Sequence, residues 1–159
     1  MRYNPNKYHR KTVRLKEYDY TKEGMYFVTI CIKNREYLLG EIIDADIILS
    51  EYGEIIKEEL LKLSERFKDI EIYSYVIMPN HIHSIIENLG NNKNRLGNVL
   101  KTFKSVTSIR CNNINKTRGI SIWQRNYYEH IVRNEKELYK ILEYIKYNPL
   151  NWNNDKYNK

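Results

Sequence analysis

Two histidines lie two positions apart in an otherwise apolar segment, residues 73–88, with the sequence YSYVIMPNHIHSIIEN. Its Ile and Val content predicts a β-strand, and side chains two apart on a strand project from one face, about 6.6 Å apart along it. His81 and His83 could therefore converge on one metal ion, while Ile82 would point to the opposite face. Two histidines with this spacing and no further ligand more often bind no metal. A third ligand must come from elsewhere in the chain.

The segment 134–150 (NEKELYKILEYIKYNPL) is predicted to form a helix that offers further polar groups. Asn134 followed by Glu137 is typical of a capping box at a helix start. Tyr144 and Asn148 are four residues apart and therefore adjacent on the helix surface, at the border of its buried stripe. That stripe consists of Leu138, Ile141, Leu142 and Ile145. A tyrosine hydroxyl is a possible nucleophile, but the chain has 15 tyrosines, and spacing alone does not select one of them.

The elements that must position these groups are predicted from hydrophobic periodicity. Strands are predicted at 25–33, 70–78 and 81–88, a strand or small hairpin at 40–49, helices at 51–66 and 96–112, and an extended aromatic segment at 119–132. Ser50 can cap the helix that follows it, and Pro149 ends the last helix. The order β-β-α-β-β-α-(β)-α predicts an α+β fold, an antiparallel sheet with helices packed on one face, close to the split βαβ pattern.

Neither an internal repeat nor a linker divides the sequence, so residues 1–159 are predicted to form a single domain. Residues 1–24 form a basic arm at its start, and residues 150–159 form a polar tail at its end. The formal net charge of +7 favours an acidic partner, nucleic acid before an anionic membrane. Alternatively, a nucleotide-composition bias in the gene could enrich the chain in Lys, Asn, Ile and Tyr. The positive charge would then not indicate an acidic partner.

The cysteines and the terminal sequence indicate the cellular compartment. Cys31 and Cys111 form neither a disulfide framework nor a zinc-binding spacing, and are expected to be reduced core thiols. The polar start of the chain is no signal peptide, and no apolar run approaches the roughly 20 residues of a membrane span. We therefore expect a cytoplasmic protein that does not enter a membrane.

Four segments make the chain resemble the REP-associated tyrosine transposases, a group within the HUH single-tyrosine transposase superfamily. These segments are RLKEYDYTKEGMYFVTICIKNREYLLGEI (14–42), YVIMPNHIHSIIE (75–87), FKSVTSIR with IWQRNYYEHIVRNEKEL (103–110 and 122–138) and YIKYNPLNW (144–152). They span nearly the whole chain in the expected order. A His-x-His motif alone is not specific, but the joint pattern is.

The resemblance implies a role for each candidate residue. His81 and His83 match the histidine–hydrophobic–histidine motif that binds metal, and Tyr144 matches the nucleophile of the Y-I-x-x-N-P motif. Asn148 matches the third metal ligand, a position where relatives also carry Gln. The resemblance further implies the ferredoxin-like fold of HUH endonucleases, with the two histidines on a central strand.

The implied activity is that of a metal-dependent single-stranded DNA endonuclease and strand transferase, a transposase acting near DNA hairpins through a 5′-phosphotyrosine intermediate. Mixed imidazole and amide ligation favours Mg²⁺ or Mn²⁺ over a thiolate zinc site. The implied partner is single-stranded DNA that carries a hairpin, as in a REP-like palindrome.

Basic and aromatic side chains could bind such DNA. Candidates for phosphate contacts are Arg10, Lys11, Arg14, Lys101, Lys104, Arg125 and Arg133. Trp123, Tyr127 and Tyr128 could stack on unpaired bases or pack in the protein, and packing is the preferred interpretation for Trp123. Arg133 could instead pair with Glu129 or Glu137, and the basic arm could be a solvated tail.

Rival interpretations share parts of this pattern. A non-catalytic hairpin-binding or nucleic-acid-binding module of ferredoxin-like fold would stack bases on sheet aromatics, yet this strand carries histidines there. A replication-type or relaxase HUH nickase, or a small metal hydrolase acting on another phosphoester, would also need a metal site. The protein could act as a monomer or a homodimer. A short distance between Tyr144 and His81 or His83 within one chain would indicate a site that one chain completes.

Overall fold

Four antiparallel strands form the central sheet of the protein, in a computed structural model that describes residues 24–90 and 95–158. The strands are β1 (Gly24–Cys31), β4 (Ile70–Met78), β5 (His81–Asn88) and β6 (Tyr128–Val132), in the order β4-β5-β1-β6. A separate hairpin joins β2 (Gly40–Ile43) to β3 (Asp46–Leu49). The helices are α1 (Glu51–Leu61), α2 (Leu63–Arg66), α3 (Leu96–Asn115) and α4 (Glu135–Tyr147). None of the helices in the described ranges is long and apolar enough to cross a membrane.

Both predicted helix caps are present. The Ser50 hydroxyl accepts a hydrogen bond from the Gly53 N–H at 3.1 Å at the start of α1. The Asn134 side chain accepts from the Glu137 N–H at 2.9 Å at the start of α4. These bonds satisfy N–H groups that have no partner inside a helix, so local sequence determines where both helices begin.

Two helical boundaries differ from the prediction. The helix predicted at 51–66 is interrupted at Lys62, so α1 ends at Leu61 and the short α2 follows from Leu63. The helix predicted at 96–112 continues to Asn115 and ends where Lys116 adopts a left-handed conformation, with φ of 55°.

Alternation along β1 and β5 gives the sheet two different faces. Val28 and Ile30 of β1 and Ile82 of β5 point to one face, where they pack with the apolar sides of α1 and α3 in the larger core. Phe27 and Ile85 point to the other face and pack with Ile145 and its apolar neighbours on α4.

The antiparallel sheet with packed helices confirms the predicted fold class. The prediction that the helices pack on one face is correct for α1 and α3 but wrong for α4. The amphipathic helix α4 lies on the opposite face, because its apolar stripe contacts Phe27 and Ile85. His81 and His83 project from that face too, so α4 is placed to carry groups to them.

The aromatic segment predicted at 119–132 is a strand only over Tyr128–Val132. Before it, the Lys104 ammonium donates to three successive carbonyl oxygens, those of Gln124, Arg125 and Asn126, at 2.8, 3.4 and 3.2 Å. These carbonyls belong to the loop before β6, and within that stretch Trp123 forms an isolated bridge with Ile32. Trp123 is buried and its indole N–H donates to the Thr107 hydroxyl at 2.8 Å, so the preferred packing role is confirmed.

Candidate active site

The two histidines lie side by side on β5, which is flanked by β1 and β4. In the register with β1, His81 is opposite Cys31 and His83 is opposite Thr29. Both imidazoles are buried, with exposed fractions of 0% and 1%. Their Nε2 atoms are 3.1 Å apart. The strand therefore brings two ring nitrogens together at one point on the face that α4 covers.

The other nitrogen of each ring also has a partner. The Nδ1 atom of His81 lies 2.7 Å from the Asn80 Oδ1 atom, and the Nδ1 atom of His83 lies 2.7 Å from the Thr29 hydroxyl. Sequence reasoning missed both partners. Asn80 directly precedes the first histidine and could have been noticed, whereas Thr29 is identified only once the register of β1 with β5 is known.

The last turn of α4 places Tyr144 and Asn148 beside the histidines. The Tyr144 hydroxyl is 3.4 Å from the Nε2 atom of His83, and its ring makes edge contacts with Phe27 and His83. Tyr144 is 42% exposed, so part of its side chain is accessible from outside. A single chain thus brings the tyrosine to the histidine pair.

Asn148 is 3% exposed, and its Oδ1 atom is buried without a hydrogen-bond partner among the described residues. A buried amide oxygen without a hydrogen bond is costly, commonly about 1–3 kcal/mol. A group of this kind in a native protein calls for an explanation, such as a catalytic role or a water or ion that binds to it. Asn148 therefore fits the role of a ligand that awaits a cation.

Burial keeps both imidazoles neutral. It lowers the pKa of His81 from 6.5 to about 3, assisted by the positive charges of Arg35 and Lys156, while the nearby Asn148 amide acts in the opposite direction. It also holds the pKa of His83 well below 6.5, assisted by His81 and Lys156. Neutral imidazole is the form that binds metal, so the pair is ready for coordination near neutral pH.

The Tyr144 hydroxyl is not activated by its surroundings alone. Burial raises its pKa above the ordinary value of 10, and the hydrogen bond with Asn148 only partly opposes this. A neutral phenol is a weak nucleophile. Nucleophilic attack by Tyr144 therefore needs a group that removes its proton or stabilises the charge that develops at the phosphate.

The C-terminal segment, residues 150–158, forms one wall of the site. The Tyr157 ring lies 4.5 Å from the His81 ring, measured between centroids. The Asn80 side-chain N–H donates to the Tyr157 carbonyl at 2.7 Å, and the Arg35 guanidinium donates to the Lys156 carbonyl at 3.3 Å. Sequence reasoning treated this segment only as a polar tail, because nothing local in it indicates where it packs.

A cleft of about 420 Å³ opens beside these groups. Tyr128 and Tyr144 line it together with His83, Asn148 and residues of the C-terminal segment. Tyr128 is 46% exposed, which leaves part of its ring accessible from the cleft. Such a ring is suited to stacking against a nucleobase.

The donors fit a divalent cation. Two neutral imidazoles converge at 3.1 Å and a buried amide oxygen lies on the same side of the sheet. In the ranges 24–90 and 95–158, no cluster of three His, Cys, Asp or Glu side chains offers an alternative site. Imidazole and amide ligands without a thiolate are compatible with Mn²⁺ or Mg²⁺.

The predicted DNA-binding residues that the structure describes do not form a single patch. Arg10, Lys11 and Arg14 lie outside the described residues. Lys101 is exposed on α3, in the helix layer of the opposite face. The Lys104 ammonium is bonded to backbone carbonyls rather than directed outward.

The two arginines occupy opposite ends of the sheet. Arg125 is exposed in the loop whose neighbour Gln124 donates its N–H to the Cys31 carbonyl at 2.8 Å, at the histidine end of β1. Arg133 is exposed at the start of α4, and its backbone N–H donates to the Glu137 carboxylate at 3.1 Å. Arg133 precedes α4, and a rise of about 1.5 Å per residue separates the first residue of the helix, Glu135, from Tyr144 by roughly 14 Å. Arg125 is the candidate nearer to the site.

A histidine pair on an inner antiparallel strand, faced by a helical tyrosine of the same chain, is the arrangement of a single-tyrosine HUH enzyme. The family model described as "Transposase IS200 like" matches residues 20–148. The chain therefore belongs to this family of tyrosine transposases, and the predicted resemblance is confirmed.

Relatives extend the comparison over the full chain. An uncharacterized protein of Haemophilus influenzae is 38% identical over 97% of this chain and 96% of its own length. A second protein of that species, provisionally named as a REP-associated tyrosine transposase, is 30% identical over 83% of this chain and 73% of its own. The REP-associated tyrosine transposase of Escherichia coli is 25% identical over 82% of this chain and 69% of its own.

The fold matches a solved relative. A REP-associated tyrosine transposase, whose structure is bound to a REP hairpin, superposes with a TM-score of 0.67 at 21% identity. The match covers 87% of this chain and 74% of the other chain. At this identity the likeness establishes the fold alone.

Proposed function

We propose that this protein nicks and rejoins single-stranded DNA beside a hairpin, in a metal-dependent reaction with a 5′-phosphotyrosine intermediate. One observation carries the proposal. The Tyr144 hydroxyl lies 3.4 Å from the Nε2 atom of His83, beside a buried histidine pair whose Nε2 atoms converge at 3.1 Å. A nucleophile next to a set of unused metal donors is what such a reaction requires.

His81, His83 and Asn148 would hold the ion, Mg²⁺ or Mn²⁺. Bound there, it would supply positive charge to the scissile phosphate and stabilise the developing transition state. The protein's own contribution is to keep both imidazoles neutral and buried, and to bury the amide oxygen of Asn148 on the same side of the sheet. Tyr144 is anchored against Phe27 and His83, which restricts where its hydroxyl can point.

The proposed step is a transesterification. The Tyr144 oxygen forms a bond to phosphorus, the bond from phosphorus to the leaving 3′ oxygen breaks, and the phenolic proton is lost as the 3′ oxygen gains one. The linkage is a phosphodiester before and after the step. It is therefore nearly reversible, and a second 3′-OH can attack the phosphotyrosine to complete strand transfer.

Hairpin-bearing single-stranded DNA is the proposed substrate, by analogy with the solved relative bound to a REP hairpin. Tyr128 would stack on a base in the cleft, and Arg125 would contact a phosphate near the site. Contacts further out would come from Arg133, Lys101 and the basic arm with Arg10, Lys11 and Arg14. Lys104 would act indirectly, by shaping the loop that carries Arg125.

Tyr144 and His83 meet within one chain, so we propose that a monomer contains a complete site and that a homodimer is not required for cleavage. We further propose that residues 1–159 act as a single domain in the cytoplasm, where bacterial DNA is found.

The test is a covalent-adduct assay with an oligonucleotide that carries a hairpin and a single-stranded flank. With Mn²⁺, the wild-type protein is expected to form an adduct that survives denaturing electrophoresis, and Tyr144→Phe to form none while it still binds the hairpin. Tyr139→Phe is the matched control, because Tyr139 lies on the same helix and is 67% exposed. Persistence of the adduct in Tyr144→Phe would refute the nucleophile assignment. Hairpin binding without any adduct in the wild type would favour the non-catalytic binding module.

A further inference from the structure

The Nδ1 atoms of the two histidines have different kinds of hydrogen-bond partner: the Asn80 amide oxygen for His81 and the Thr29 hydroxyl for His83. We propose that Asn80 and Thr29 are positioning residues, which keep the Nε2 lone pairs of His81 and His83 directed at the metal position. The part of this inference that concerns metal binding rests on the proposed function. The part that concerns the tautomer of His81 rests only on hydrogen bonds within the protein.

The orientation of the Asn80 amide is fixed by its nitrogen. The Nδ2 atom lies 2.7 Å from the Tyr157 carbonyl oxygen and 3.3 Å from the Arg35 carbonyl oxygen. Both are acceptors only, so the amide nitrogen must face them and the amide oxygen must face His81. That oxygen lies 2.7 Å from the His81 Nδ1 atom.

An amide oxygen cannot donate, so the Nδ1 atom of His81 must carry the hydrogen and donate it to Asn80. A neutral imidazole has one such hydrogen, and its Nε2 atom then keeps a free lone pair. That atom is 3.1 Å from the His83 Nε2 atom, at the inner side of the pair. Asn80 thereby selects the tautomer of His81 that can bind a metal through Nε2.

Thr29 plays a different part for His83. A hydroxyl can donate and accept, so it can serve either tautomer across the 2.7 Å contact with Nδ1. In the metal-free protein, the His83 Nε2–H can donate to the lone pair of His81, while the Thr29 hydroxyl donates to Nδ1. When both Nε2 lone pairs bind a cation, His83 carries its hydrogen on Nδ1 and the Thr29 oxygen accepts it. His81 is thus fixed, while His83 can change tautomer as metal binds.

These roles predict different tolerances at the two positions. In place of Asn80, only another hydrogen-bond acceptor should preserve metal affinity. In place of Thr29, only another hydroxyl should preserve it. Outer partners of metal-binding histidines typically contribute about 10-fold to 100-fold to metal affinity. Asn80 has a second structural role, since it also holds the Tyr157 and Arg35 carbonyls. The variants must therefore separate its oxygen from its nitrogen.

Asn80→Asp keeps an acceptor for His81 and loses both N–H donors, whereas Asn80→Leu loses all of these groups. The first readout is the His81 tautomer in metal-free protein, from long-range ¹H–¹⁵N spectra of ¹⁵N-histidine-labelled samples. Wild type and Asn80→Asp are expected to show hydrogen on Nδ1. Asn80→Leu is expected to shift towards the Nε2–H form that imidazole favours in water.

The second readout is Mn²⁺ affinity, measured by electron paramagnetic resonance of free Mn²⁺. Asn80→Leu is expected to weaken binding by about 10-fold to 100-fold, and Asn80→Asp to retain it. Thr29→Val is expected to weaken binding to a similar degree, and Thr29→Ser to retain it. Backbone amide spectra of each variant establish that it is folded.

Equal losses in Asn80→Asp and Asn80→Leu would overturn the proposal, since they would assign the effect to the anchoring of the C-terminal segment. Unchanged affinity in Thr29→Val would overturn the role of the Thr29 hydroxyl. A folded wild-type protein that binds no Mn²⁺ would refute the metal-dependent function instead. The metal-free tautomer of His81 would still decide the hydrogen-bond argument: hydrogen on Nε2 contradicts it.

Discussion

The two faces of the central sheet are built from the same strands but differ in character: one is an apolar core and the other carries the candidate active site. On one face, Val28, Ile30 and Ile82 pack against α1 and α3 in a closed apolar core. On the other, His81 and His83 are equally buried but polar, and His83 lines a cleft that opens to solvent. Because side chains alternate along a strand, Ile82 serves the first face while its two neighbours serve the second.

Buried polar groups are treated differently on the two sides. Glu59 of α1 is 2% exposed, and it is paired with Arg66 at 2.9 Å and with Arg110 at 2.7 Å, which ties α1 to α2 and α3. Asn148, on the histidine side, keeps a buried oxygen without a partner among the described residues. The Glu59 carboxylate is thus compensated by two guanidinium groups, although its Oε2 atom also lacks a hydrogen bond among the described residues. The Asn148 amide oxygen is a buried group that an ion could engage.

Removal of the histidines should produce the largest effect and should be confined to function. His81→Ala and His83→Ala are each expected to abolish cleavage, a loss of roughly 10³-fold, as for the removal of a group that stabilises developing charge. Hairpin binding should persist, because it depends on other surfaces. Cleavage and hairpin binding by gel assays provide the comparison, and a parallel loss of both would assign the histidines a structural role.

The neighbouring isoleucine should show the reverse. Ile82→Ala removes a fully buried side chain from the larger core, and such truncations cost about 2–5 kcal/mol. Urea unfolding should report this loss for Ile82→Ala. Any Ile82→Ala protein that remains folded should retain its covalent-adduct activity. If Ile82→Ala left stability unchanged, the division of labour between the two faces would be wrong.

A smaller effect is expected from pH. The pKa of His81 is about 3 in the folded protein and 6.5 in the unfolded chain, so below pH 6.5 the unfolded chain takes up a proton that the folded one does not. Above pH 6.5 the titration of His81 does not lower the free energy of unfolding. Below pH 6.5 that free energy falls as the pH drops towards 3, by about 2 kcal/mol at pH 5. His83 acts in the same direction.

The check is urea unfolding of metal-free protein between pH 7 and pH 5, with His81→Gln as the comparison because glutamine does not titrate. The wild type should lose stability more steeply than the variant over this range. If the free energy of unfolding depended on pH equally in the wild type and His81→Gln, burial of His81 would not disfavour its protonated form.

Local patterns were sufficient to predict much of this molecule. Alternation located β5 and the shared face of the two histidines, and Ser50 and Asn134 marked helix starts that the structure confirms. Helical spacing placed Tyr144 next to Asn148. These features depend on residues a few positions apart, which the sequence displays directly.

Features set by long-range packing were not predictable in this way. The inward position of the Lys104 ammonium depends on a loop 20 residues later, and the face that α4 covers depends on which apolar surface remains after α1 and α3 have packed. The partnership of Thr29 with His83 requires the strand register. The contact of Tyr157 with His81 requires the path of the C-terminal segment.

The central claim is that Tyr144 attacks the phosphate at a site completed within one chain. Its most direct test is mass spectrometry of the peptide that carries DNA, after cleavage of a hairpin oligonucleotide with Mn²⁺ and digestion of the adduct. We predict a nucleotide attached through its 5′ phosphate to Tyr144, in protein that is monomeric during the reaction. Attachment to another residue, such as Tyr157 or Tyr128, would contradict the assignment, and cleavage without attachment would indicate a metal-dependent hydrolase.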